Sequence, residues 1–108
     1  MSTSRAQLFR EKVAQQPKNP LFRFSLGQAL YQEGDLTGAR EHFEIAANSR
    51  DDWMLPRIML GQALIDAGEP ESARPWLERA LELAIEQQHD DPADECRQLL
   101  STLNAKEA

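Results

Sequence analysis

The chain has 108 residues and 12.2 kDa, one domain's worth, and its 41% hydrophobic and 28% charged residues exclude a disordered protein. The net charge of −6 is lopsided: residues 1–50 hold seven Lys/Arg against five Asp/Glu, and residues 51–108 hold five against thirteen. With no basic run to meet phosphates, neither nucleic acid nor an anionic membrane surface is an expected partner.

No apolar run approaches the ~18 residues that a membrane helix needs. The polar start Met1-Ser2-Thr3-Ser4-Arg5 holds no apolar signal core, and a lone cysteine, Cys96, excludes an internal disulfide framework. A cytoplasmic location is the expectation.

In chain order, a first helix is predicted over residues 4–16, with Ser4 as its cap and Gln7 three residues on. Asn19 caps a second helix that opens on Pro20 and carries Phe22, Leu26, Ala29 and Leu30 at helical spacing. Gly34 supplies a left-handed stop, and Asp35 caps a third helix with Ala39, Phe43, Ala46 and Ala47 as its inward stripe. Asp51 or Asp52 is expected to cap a fourth helix, which Gly68 ends.

Glu69-Pro70 opens a longer fifth segment reaching residue 88. Pro75 inside it costs ~3 kcal/mol if the helix is regular, so the helix either begins near Ser72 or kinks. Asp91 is the expected cap of a last helix through about Lys106, with Pro92 at its first position. Its single stripe of Ala93, Cys96, Leu99, Leu100 and Leu103 suits the end of a stack, where the outer face must be polar.

These elements repeat. Leu26-Gly27-Gln28-Ala29-Leu30 recurs 34 residues later as Leu60-Gly61-Gln62-Ala63-Leu64. The same offset carries Arg23 to Arg57, Gly34 to Gly68, Asp35 to Glu69, Ala39-Arg40 to Ala73-Arg74, Phe43 to Leu77 and Ala46 to Ala80. Each unit reads as helix–turn–helix. Gly27 and Gly61 allow a close approach of the two helices, with alanines on the facing helix and Phe43 or Leu77 filling what remains. One helix pair cannot bury both of its apolar faces, so units stack.

This pattern resembles the tetratricopeptide repeat, a 34-residue helix pair with Leu-Gly in its first helix and Ala, an aromatic and Ala in its second. Leu26-Gly27, Leu60-Gly61, Ala39, Phe43, Ala46, Ala73 and Ala80 match. Leu30 and Leu64 stand where Tyr is usual, Arg23 and Arg57 where a large apolar residue is usual, and Leu77 where an aromatic is usual. Phe9 lies 34 residues before Phe43, so residues 4–16 look like the second helix of a truncated unit. The resemblance implies an all-α, right-handed superhelical stack of antiparallel pairs, about five helices. Residues 1–108 then form one domain: a half-repeat at 4–16, repeat one at 20–50, repeat two at 53–88 and a capping helix at 91–106.

No catalytic constellation stands out. His42 precedes Phe43 and points partly outward, His89 sits at a helix end, and Cys96 falls on an apolar stripe. No second histidine lies at ligand spacing from the His89-Asp90-Asp91 cluster, and no glycine-rich phosphate loop is present. Neither enzymatic activity, nor a metal, nor a cofactor is expected.

The face of the first helices left over from packing carries Leu21, Phe24, Gln28 and Tyr31, repeated as Leu55, Ile58, Gln62 and Ile65. The resemblance implies that this is a concave surface for a protein or peptide segment, as in a scaffold or adaptor. Apolar stripes with an amide at the middle of each suit an extended or helical peptide. One subgroup of the family holds chaperone C-terminal carboxylates with Lys, Arg and Asn. Gln28 and Gln62 replace that Asn and no lysine lies on the stripe, so a more apolar ligand is expected. The alternative is a surface covered by the chain's own last helices or by a second copy in a homodimer.

Overall fold

The computed structural model describes residues 4–107, with side chains described through Asn104. Among these residues the chain forms α1 (Arg5–Gln15), α2 (Pro20–Gln32), α3 (Leu36–Ser49), α4 (Leu55–Asp66), α5 (Pro70–Glu86) and α6 (Asp90–Glu107), and no strand. The count of six is close to the five or so expected, and the six are the segments read in chain order from the sequence.

Three starts are capped as the sequence dictates. The Ser4 hydroxyl accepts from the Gln7 N–H at 3.1 Å, Asn19 Oδ1 from the Leu21 N–H at 3.0 Å, and Asp35 Oδ1 from the Gly38 N–H at 2.9 Å. Each satisfies a donor that the first helical turn leaves unpaired. The start of α4 is different. Neither Asp51 nor Asp52 caps it; Met54 takes that place without a side-chain bond. Met54 is buried in the core and the Trp53 ring lies tilted against Phe24, so packing rather than a cap decides where the helix begins.

The helix that holds Pro75 begins at Pro70, not near Ser72. The last helix also starts earlier than expected, at Asp90, with the His89 carbonyl accepting from the Ala93 N–H at 3.1 Å. Asp91 is therefore not the cap. It lies in the first turn, where a carboxylate is favoured by the helix dipole.

Gly34 and Gly68 close the α2–α3 and α4–α5 turns at φ +86° and +80°. The following residues, Asp35 and Glu69, donate back to the carbonyls of Leu30 and Leu64 at 2.9 and 2.8 Å. This is the six-to-one bond of a left-handed helix stop. The α5–α6 turn repeats it with Gln88 at φ +59° and the His89 N–H on the Ala84 carbonyl at 2.8 Å.

Each helix packs on its chain neighbours, and α2 also touches α4. Within each pair a glycine sets the distance. A Cβ on Gly27 would sit 2.7 Å from two carbons of the Phe43 ring, and one on Gly61 would sit 2.6 Å from Leu77 Cγ. Phe43 and Leu77 are fully buried, so neither has room to retreat. A large core joins Leu26, Leu30, Phe43, Leu60, Leu64 and Leu77, and Leu103 of α6 closes it. A second cluster joins Met54 and Ile58 of α4 to Leu83 of α5 and Ala93 and Cys96 of α6.

Arg23 and Arg57, where large apolar residues were usual, tie each unit to the segment before it. Arg23 Nε donates to the Pro17 carbonyl at 3.2 Å. Arg57 donates to the Ala47 carbonyl at 3.4 Å and lies 5.5 Å over the Trp76 ring. A guanidinium fits here because it offers several donors on a long apolar stem.

Candidate partner-binding face

The helices α2 and α4 lie side by side, and their shared face carries most of the stripe read from the sequence. Leu21 at the start of α2 is 60% exposed, and Leu55 at the start of α4 is 47% exposed. Phe24, Gln28, Tyr31, Gln62 and Ile65 are half-buried. Ile58 departs from the stripe. It is only 2% exposed and is part of a core cluster with Ala80 and Leu83 of α5 and Ala93 and Cys96 of α6. It presents nothing to a partner.

A polar link joins the two helices across this face. The Tyr31 hydroxyl donates to Asp66 Oδ2, and Gln62 Nε2 donates to Asp66 Oδ1 at 3.0 Å. Burial, then the hydrogen bond and charge of Asp66, push the Tyr31 hydroxyl up to about 12. The Gln62 amide is thus committed within the chain. Gln28 is not: its side chain has no hydrogen-bond partner among the described residues.

The face continues past the helices. The Phe24 ring lies 5.8 Å from Phe43 and 5.2 Å from Trp53, whose indole fills the connection between α3 and α4. Trp53 in turn borders a pocket of about 330 Å³. Asp52, Trp53, Met54 and Leu55 form one side and Gln87, His89 and Pro92 the other. The Gln87 side chain donates to the Asp52 carbonyl at 2.8 Å and holds the two turns together. Sequence reasoning passed over Trp53. Its signal was an aromatic residue in an otherwise charged connection, Arg50-Asp51-Asp52.

His42 is half-buried on α3 with Nδ1 3.3 Å from Arg23. Burial holds its pKa below the usual histidine value, and Arg23 and Arg10 lower it further against the opposing charges of Glu41 and Asp35. Cys96 is fully buried, and burial pushes its thiol up to about 11, which keeps it in the unreactive protonated form. Among the described residues no three His, Cys, Asp or Glu side chains are grouped to hold a metal ion. Among the described residues no helix is long and apolar enough to cross a membrane.

Family models for the tetratricopeptide repeat match residues 4–52 and 54–79. The chain belongs to the tetratricopeptide repeat family. The first match takes in α1, and the second ends within α5. No curated protein matches the chain. Tetratricopeptide repeats generally mediate protein–protein interactions and are generally not enzymes.

Proposed function

We propose that this protein is a non-enzymatic interaction module that docks an apolar segment of a protein partner along the concave face of α2 and α4. The observation that carries the reading is the pair Leu21 and Leu55. They are large apolar residues at the same place in two successive repeats, and both are left largely open to solvent. Removing such side chains from water is the largest favourable contribution a partner can draw on. Between them, half-buried Phe24 adds a flat aromatic surface, and the uncommitted Gln28 amide offers both a donor and an acceptor to a peptide backbone.

Selection of displayed peptides on the immobilised protein tests this. Selected peptides are expected to lose about tenfold or more in affinity for Leu21→Glu/Leu55→Glu, at unchanged helicity. Equal affinity for that folded double variant overturns the assignment of the face. Sedimentation across concentration separates the alternative, in which a second copy occupies the same leucines. Dimerisation abolished by the double variant supports that alternative.

A further inference from the structure

We infer that the pocket between the α3–α4 and α5–α6 turns is a recognition site for an arginine side chain on the docked segment. The inference rests on reading the neighbouring face as a docking surface and adds the chemistry recognised at one end of it.

The lining combines three features that a guanidinium on a long stem uses. Leu55 and Pro92 offer apolar walls for the stem. Trp53 offers an indole, the best aromatic partner for a cation. The same chain pairs Arg57 with the Trp76 ring at 5.5 Å, so this chemistry already operates elsewhere in the molecule. Asp52 offers a carboxylate.

The surroundings are acidic well beyond Asp52. Asp51 lies beside it, and Asp90 and Asp91 open α6 next to His89 and Pro92; all are exposed. Among the described residues only Asp52 of these four has an ion-pair partner: Arg50 Nε lies 3.4 Å from its Oδ1. That contact places a guanidinium within ion-pair distance of the carboxylate. Both side chains of the pair are largely exposed, so exchanging Arg50 for an incoming arginine costs little. A volume of about 330 Å³ lies at the small end of ligand pockets, suited to one long side chain rather than a large cofactor. The lopsided charge favours the same partner, with thirteen acidic against five basic residues beyond residue 50.

The test uses the full chain, labelled with ¹⁵N, titrated with N-acetyl-arginine amide and, separately, with N-acetyl-glutamine amide. Arginine amide is expected to move the Trp53 indole and Gln87 side-chain signals in the millimolar range, and glutamine amide is not. Asp52→Asn, at an exposed position, is expected to weaken that titration about fivefold, the worth of one exposed ion pair. Absence of a response at Trp53 and Gln87, an equal response to both amides, or one indifferent to Asp52→Asn overturns the inference. Failure of the docking reading looks different. Displayed peptides that depend on Leu21 and Leu55 but carry no basic residue leave that reading standing while this one falls.

Discussion

The two repeats share Leu-Gly-Gln-Ala-Leu in their first helices and differ in what lies beside them. Phe24 in α2 and Ile58 in α4 hold the same place, one repeat apart. Phe24 is half-buried under Trp53, a single side chain from a connecting turn. Ile58 is closed into a core cluster with Leu83 of α5 and Ala93 and Cys96 of α6. In the first repeat this position stays half in water beside Trp53, while in its copy it is closed into the core.

The largest expected effect breaks this pair apart. Ile58→Ala removes a buried branched side chain and is expected to cost about 3 kcal/mol. Phe24→Ala, at a site already half in water, is expected to cost about half as much, because less apolar surface returns to solvent. Urea midpoints of the two variants check the ratio. Equal losses mean that the first repeat is as closed as the second.

A smaller effect concerns the turns. Gly68 and Gln88 adopt the same left-handed backbone, but only glycine does so without a steric penalty. Gln88→Gly is expected to stabilise the protein by about 1 kcal/mol, and Gly68→Ala to destabilise it by a similar amount. Opposite shifts in thermal midpoint confirm that the α5–α6 turn copies the geometry of the turn within a repeat.

The smallest effect concerns the link between repeats. Tyr31→Phe removes the bond to Asp66, with an expected loss of about 1 kcal/mol or less at neutral pH. The Tyr31 hydroxyl titrates near 12 in the folded chain against an ordinary 10.0. Its protonated form is therefore favoured by folding, and its contribution is complete below pH 10 and lost as pH rises through 12. Stability measured on both sides of pH 10 is expected to fall more steeply for the parent chain than for Tyr31→Phe.

Much of the fold was legible because its signals are local. Ser4, Asn19 and Asp35 cap helices within three residues of themselves, Gly34 and Gly68 stop them, and the 34-residue echo places Gly27 against Phe43 and Gly61 against Leu77. The candidate face was legible in Leu21 and Leu55 for the same reason: both sit at equivalent steps of a helical period. Trp53, the pocket beside it and the burial of Ile58 were not. Trp53 meets Phe24 across two repeats, the pocket and Ile58 draw on residues from the α5–α6 region, and the left-handed Gln88 of that turn is not a glycine that would announce it.

The order of residues by itself determined a duplicated helical hairpin, its caps, its stops and its small-residue contacts, since these follow from interactions a few residues apart or from strict repetition. Only the tertiary structure decided that α4 begins without a cap, that Ile58 of the second stripe joins the core, and that two turns distant in sequence line one pocket. Burial is a property of whatever neighbour arrives, and periodicity within a helix holds no record of that neighbour.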